Sequence, residues 1–406
     1  MAATDPRLLV RAPGLRGYVD VAVRRLRGGE LGPVPVIVGL VLMAVIFQSL
    51  APTFLSPRNL SNLSVQIVST GLISVGIVLV LLLGEVDLSA GSVSGLAAAA
   101  MAVLSVKHGV DPVLAMAIAI AIAAAIGAAQ GLVFARLGVP SFVVTLAGLI
   151  GWQGALLYTL GGTGTINLPY DGTVARLANT FLDDIAVGYA VALAPVALWT
   201  LSTLRTEARR ARVGLPRRAP SEIALRAAGL AALAAAVAYI LNRTRGVPLS
   251  LVIFVGFVII FDRVLRRTRY GRMVFAVGGN AEAARRAGIP VERVRVAVFT
   301  IASAMAAVGG LMQASRLFAV NQSSGGGDVL LNAIAAAVIG GTSLFGGRGG
   351  PWSALLGMLV IGCIQSGILL LNLKSDAQYM ITGAVLLVAV TIDSLARRGR
   401  KASGRA

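Results

Sequence analysis

Two carboxylates, Glu85 and Asp87, interrupt the hydrophobic stretch GLISVGIVLVLLLGEVDLSAGSVSGL, which otherwise reads as two apolar spans joined by a turn. A carboxylate at mid-membrane costs roughly 2.5–3.5 kcal/mol on insertion scales, so both acids should face a protein interior, a water-filled path or the interface. Three kinds of chemistry suit them: lining a path for a polar solute, exchanging a proton, or accepting hydrogen bonds from a helix start. Asp87 or Ser89 fits the third, because an acceptor satisfies free backbone N–H groups and a negative charge suits a helix N-terminus. Glu85 has no such local explanation. Little other reactive chemistry is on offer. One cysteine, Cys363, and one histidine, His108, leave no material for a disulfide framework or a His/Cys metal cluster within one chain. No Gly-x-x-x-x-Gly-Lys-Ser/Thr loop occurs, so the chain carries no recognisable site for ATP hydrolysis.

The elements that must position the acids are membrane spans. The 406 residues are 57% hydrophobic and 13% charged, too apolar for a soluble protein. Apolar windows fall near 33–51, 60–83, 91–107, 112–135, 140–160, 185–204, 220–241, 248–262, 292–314, 329–345, 352–372 and 376–395. They predict an all-α polytopic transmembrane bundle of about twelve segments: a basic tail over 1–32, one membrane domain over 33–395 and a second basic tail over 396–406. The first tail is too long and polar for the start of a cleavable signal peptide.

The net charge of +19 would suggest nucleic acid in a soluble chain, but its distribution explains it. Segments 1–32, 205–218, 263–295 and 396–406 carry 26 of the 36 Lys and Arg residues, against seven on the opposite side (Arg58, Lys107, Arg176, Arg243, Arg245, Arg316 and Lys374). The positive-inside rule then puts both termini in the cytoplasm. The loop Arg205 to Pro220 is read as topological or lipid-facing. On the outer side, 161–172 and 313–328 are rich in Gly and small polar residues, suited to receive a soluble protein or simply to connect spans.

A polar island, YGRMVFAVGGNAEAARRAGIP, runs from Tyr270 to Pro290 on the inside. Asn280 is a good N-cap, Ala281 to Ala287 favour helix, Gly288 supplies a left-handed stop and Pro290 forbids continuation. A helix of this length spans only ~10 Å. Ala281, Ala283, Ala284 and Ala287 give it a low profile, with Glu282, Arg285 and Arg286 as charged markers. Such a surface suits docking into a groove, although a solvated connector would share the composition.

These residues carry a resemblance. Gly278, Gly279, Asn280, Ala283, Ala284, Gly288 and Ile289 resemble the cytoplasmic loop of ATP-binding-cassette (ABC) importer permeases of the monosaccharide class, in which such a helix contacts the ATPase subunit. Gly84, Val86, Asp87, Leu88, Ser89, Gly91 and Ser92 match that family's signature turn, while Glu85 and Ala90 depart from it; an acid at position 85 is similar to xylose-type members. The resemblance covers nearly the whole chain. It implies a homodimer, a cytoplasmic ATPase that uses the ATP, no cofactor bound by this chain itself, an external sugar-binding protein, and docking through Asn280, Glu282, Ala283, Ala284, Arg285 and Gly288. Glu85, Asp87, Ser89, Gly91 and Ser92 would belong to the signature turn or path. Trp152, Gln153, Asn167 and Asn332 are candidate path-lining residues, since sugars are held by amides and aromatic faces; each is equally a packing or interface residue.

Two further patterns bear on architecture. Gly91, Ser94 and Leu96 can be set over Gly350, Ser353 and Leu355, and RLGVPS at 136–141 over RAGIPV at 286–291, which suggests a parallel internal pseudo-repeat with broken or re-entrant turns. Gly91 with Gly95 and Gly127 with Gly131 have the spacing that lets helices approach closely in lipid. Two rivals stay open: a proton-coupled secondary transporter, relying on Glu85 and Asp87, and an ABC permease for another solute such as branched-chain amino acids.

Overall fold

The computed structural model describes residues 34–215 and 218–374, with a few isolated positions after 374. The tails at 1–32 and 396–406 and most of the window at 376–395 lie outside the described residues. In chain order the helices are α1 (Val34–Leu50), α2 (Pro57–Leu82), α3 (Ala90–Ala102, continued by a π-helical turn to Lys107), α4 (Pro112–Leu137) and α5 (Ser141–Leu160). There follow β1 (Thr165–Asn167), α6 (Thr173–Asn179), α7 (Ile185–Arg212), α8 (Pro220–Asn242), α9 (Leu249–Arg267), α10 (Arg269–Gly279) and α11 (Ala281–Arg286). The last elements are α12 (Val291–Leu317), β2 (Ala319–Asn321), α13 (Gly327–Ile339) and α14 (Trp352–Leu370).

Among the described residues, eight helices are long and apolar enough to cross a membrane: α2, α3 with its continuation, α4, α5, α7, α8, α12 and α14. This is an all-α, multi-pass membrane bundle. Eight is fewer than the twelve apolar windows for a physical reason. Helices α1 and α13 have only 17 and 13 residues, α9 ends in Asp262, Arg263, Arg266 and Arg267, and the last window lies mostly outside the described residues.

Capping explains where several helices begin. The Ser56 side chain accepts from Asn59 N ahead of Pro57, the Asp111 carboxylate accepts from Val113 N and Leu114 N ahead of Pro112, and Asp184 does the same for Ala186 N and Val187 N. The two similar motifs at 136–141 and 286–291 fold alike: a glycine at positive φ (Gly138 +70°, Gly288 +79°), then Pro140 or Pro290 at the N-cap of the next helix.

The chain divides into two compact units. In one, around 182–247, α7 packs along α8 as a helical hairpin. In the other, α2 lies at the centre: 83% of its apolar window is buried, and α12, α13, α14 and α9 pack around it. Lipid supplies little hydrophobic drive between helices, so close approach and polar bonds must hold the bundle. Gly127 and Gly131 press α4 onto Phe299, Ser303 and Val296 of α12, Gly310 meets the Ser94 backbone, and Gly71 accommodates Phe254. Polar bonds cross between helices from Asn59 Nδ2 to Ser366 Oγ (2.9 Å), Gln66 to Gln365 (3.2 Å) and Ser74 Oγ to Ala333 O (2.9 Å).

Two interruptions of the helical pattern meet inside this unit. Helix α3 starts only after the non-helical stretch 83–89, and α13 only after β2 and the turn at 322–326. Gly325 O lies 2.6 Å from where a Cβ on Gly91 would stand, and Gly95 faces the Ser324 carbonyl. The spacing of Gly91 and Gly95 thus serves this contact. The stretches around 161–172 and 313–328 also join: β1 and β2 pair antiparallel, Thr165 with Asn321, Ile166 with Val320 and Asn167 with Ala319.

Candidate functional site: an acidic turn beside the α10–α11 arm

The short helix predicted inside the polar island is present as α11. Asn280 Oδ1 accepts from Ala283 N at 2.9 Å, and at the far end Ile289 N donates to Ala284 O and Gly288 N to Arg285 O, each at 3.0 Å, with Gly288 left-handed. Glu282 pairs along the surface with Arg285 (3.0 Å) and Arg286 (3.2 Å). These pairs are exposed and contribute at most about 1 kcal/mol, so they shape the surface more than they stabilise it. The small face is narrower than the alanine pattern suggests. Ala284 is turned inward and buried against the same chain, leaving Ala283 and Ala287 as the exposed small residues. Tyr270, at the start of α10, has a buried hydroxyl, and that burial pushes its pKa up to about 12.

Within the acidic turn the two carboxylates do different things. Asp87 is buried; its Oδ1 accepts from Ser89 N at 2.8 Å and from Ser89 Oγ at 2.7 Å. Ser89 is the N-cap of α3, so Asp87 holds the helix start from two residues upstream, and Ser92 Oγ closes on Ser89 O at 2.9 Å. The Ser89 hydroxyl has one hydrogen, which it gives to Asp87. Gln130 Oε1, a second acceptor for the same hydrogen, lies 3.1 Å from Ser89 Oγ. Gly148 on α5 lies directly over Gln130 and Ser89, where a side chain would not fit.

Glu85 points elsewhere. Its Oε2 accepts from Ser141 Oγ at 2.7 Å and its Oε1 pairs with Arg295 at 3.1 Å. The Arg295 guanidinium also lies 4.6 Å from the centre of the Phe134 ring. Glu85 thereby ties the turn to α4, α5 and α12 at once, and both copies of the similar motif contribute: Ser141 ends one, and Arg295 follows four residues after the other.

The same turn meets two other glycine-rich segments. Gly347 N donates to Leu82 O at 2.9 Å, and Gly278 of α10 lies against that same carbonyl with no room for a Cβ. A Cβ on Gly346 would stand 2.9 Å from Gly84 N, and one on Gly84 would stand 3.3 Å from Phe345 O. The end of α2, the α10 stem of the arm formed by α10 and α11, and the turn at 340–350 thus converge on one point. Three backbones can come this close only where side chains are absent.

The remaining candidates are not all in one place. Trp152 packs against the core one turn beyond Gly148, its indole N–H buried without a partner. Gln153 Nε2 donates to Gln322 O at 3.0 Å, and Asn167 is exposed on β1, so both belong with the β1–β2 ribbon. Asn332 is half-buried on α13, with no hydrogen bond to the others among the described residues. Sequence reasoning missed Arg295, Ser141, Gln130 and Gly148. Arg295 was counted only as one of the inside charges; the hint was its place one turn into the helix, where the apolar run after Glu292 and Arg293 begins.

Comparison with known proteins gives this arrangement a context. Residues 59–390 match the family described as branched-chain amino acid transport system / permease component. The chain is 34% identical over 321 residues to a xylose transport system permease protein of Escherichia coli strain K12, covering 79% of this chain and 81% of that protein. It is 32% identical over 364 residues to a ribose import permease protein of Bacillus subtilis strain 168, covering 90% and 92%. An L-arabinose transport system permease protein of E. coli K12 is 36% identical over 156 residues, 38% of this chain and 47% of that protein. No solved structure matches the chain.

Proposed function

Because the chain belongs to the branched-chain amino acid transport system permease family, we propose that it is the permease subunit of an ABC importer for a sugar, a pentose and specifically xylose. The observation that carries this reading is the similarity to the xylose permease over four-fifths of both chains; ribose and arabinose permeases are also among its relatives. The capped helix α11, borne on a stem that touches the acidic turn, supports a role in receiving force from a separate subunit.

On this reading the permease domain spans 33–395 in twelve segments, the eight long helices together with α1, α9, α13 and the apolar window 376–395, with both termini cytoplasmic, in the cell (inner) membrane. The loop 263–291 faces a cytoplasmic ATPase, which binds and hydrolyses the ATP; this chain needs no cofactor of its own. A second copy of the chain completes the path, and an external sugar-binding protein delivers substrate to a surface that includes the β1–β2 ribbon. ATP binding closes the ATPases, and α11 passes that motion to the bundle, which alternates between two states.

The test of substrate is ATP hydrolysis by the reconstituted complex of permease, ATPase and binding protein. Xylose-loaded binding protein raises the rate and free xylose does not. Stimulation by a ribose- or leucine-loaded binding protein, with none by the xylose-loaded one, reassigns the solute.

A further inference from the structure

The ion pair between Glu85 and Arg295 joins two segments that the importer reading assigns to different tasks. Arg295 lies on α12, one turn after Val291, and only residues 287–290 separate α12 from the docking helix α11. Val291 and Val294 are buried, so the first turn of α12 is packed into the bundle. Glu85 lies on the other side of the contact, two residues before Asp87, whose carboxylate sets the start of α3 through Ser89.

The geometry of the pair suits a contact that is made and broken. The side chains of Arg295 and Glu85 keep 21% and 16% of their exposure, so water can reach both ions when they separate. A fully buried pair would pay a far larger desolvation cost on opening. Neither residue would be left wholly unpartnered: Ser141 stays on Glu85 Oε2, and the Phe134 ring stays under the Arg295 guanidinium. No covalent step is involved, and the glycine contact at Leu82, Gly278 and Gly347 holds the stem of the arm against the end of α2 beside the acidic turn.

We infer that Glu85 and Arg295 are positioning residues for transport: their ion pair carries displacement of the docking helix to the acidic turn and so to the start of α3. This rests on the importer reading. It differs from a purely structural role in what it predicts for coupling, the number of sugar molecules delivered per ATP hydrolysed.

The experiment measures that ratio in proteoliposomes holding permease and ATPase, with xylose-loaded binding protein, for wild type, Glu85→Gln, Arg295→Gln and the double variant. Coupling energies of this kind correspond to about 5–150-fold, so each single variant lowers the ratio about tenfold. The double variant falls no further than either single, and Arg295→Lys recovers at least half of the ratio. Single variants within twofold of wild type, or losses that multiply in the double variant, overturn the inference. Should a single variant fail to assemble with the ATPase, the swap of Glu85→Arg with Arg295→Glu decides. Recovery of the ratio to within threefold supports the inference, and an unrecovered ratio overturns it. Absence of ATP-dependent sugar entry in the wild type would instead defeat the importer reading itself.

Discussion

Gly278 lies against the carbonyl oxygen of Leu82, which also accepts a hydrogen bond from Gly347 N at 2.9 Å. A Cβ at position 278 would collide with a backbone atom rather than a movable side chain. Gly279, its neighbour, has open space around it. Gly278→Ala therefore destabilises the folded protein by about 1–3 kcal/mol through overpacking, whereas Gly279→Ala stays within roughly 1 kcal/mol of wild type. Thermal unfolding in detergent, compared between the two variants, checks this; equal behaviour would mean that the junction is not closely packed.

Helix α11, the proposed docking helix, offers a similar pair of neighbours with opposite fates. Ala283 is exposed and Ala284 is 4% exposed. Ala283→Trp leaves the chain folded and inserted but weakens its association with the ATPase and lowers uptake, because a bulky group keeps a close groove from closing. Ala284→Trp lowers folded yield instead. Co-purification with the ATPase, beside the amount of folded permease, separates the two effects, and normal co-purification of Ala283→Trp counts against docking through this face.

Asp87 is expected to act as an acceptor. Asp87→Asn keeps an oxygen for Ser89 N–H and preserves most folding and transport, while Asp87→Leu leaves that backbone donor unpaired in a buried place, at about 1–3 kcal/mol, even though the Ser89 hydroxyl can still turn to Gln130 Oε1. A proton carrier would respond otherwise: Asn would abolish accumulation as fully as Leu. Uptake by the two variants at equal expression decides between them.

These three cases mark what local sequence conveys. The short helix α11 was legible because its signals, the Asn280 cap and the Gly288 stop, act within ten residues, and Asp87 reads as a helix-start acceptor because its partner is two residues away. Glu85 was conspicuous but unexplained, since its partners are 56 and 210 positions off along the chain. Gly278 looked like part of the docking motif, yet its contact is with Leu82. Ala284 looked like part of an exposed face, but a six-residue helix with four nearby alanines has too weak a pattern to show which side turns inward. Among the described residues eight helices meet the length and composition for crossing, because an apolar window does not reveal how long an unbroken helix it holds: α1 stops at 17 residues, and α13, which starts only at Gly327, at 13.

Sidedness has its own test. In a Cys363→Ala background, single cysteines are placed at Ala208, Ala283 and Ser323 and treated with an impermeant thiol reagent outside intact cells. Ser323 is exposed at the end of the β1–β2 ribbon, a better probe than Gly325, which is packed against Gly91. Only Ser323→Cys reacts. Labelling of Ala283→Cys from outside would overturn the orientation and the docking assignment together.

The central claim is that a partner ATPase drives sugar through this chain, and the most direct measurement is xylose uptake into proteoliposomes of permease and ATPase, with binding protein outside. ATP is trapped inside on the side of α11, and a protonophore is present or absent. The account predicts accumulation that requires ATP, the ATPase and the binding protein, and that is unchanged by the protonophore. Uptake that persists without ATP or the ATPase and collapses with the proton gradient would contradict it.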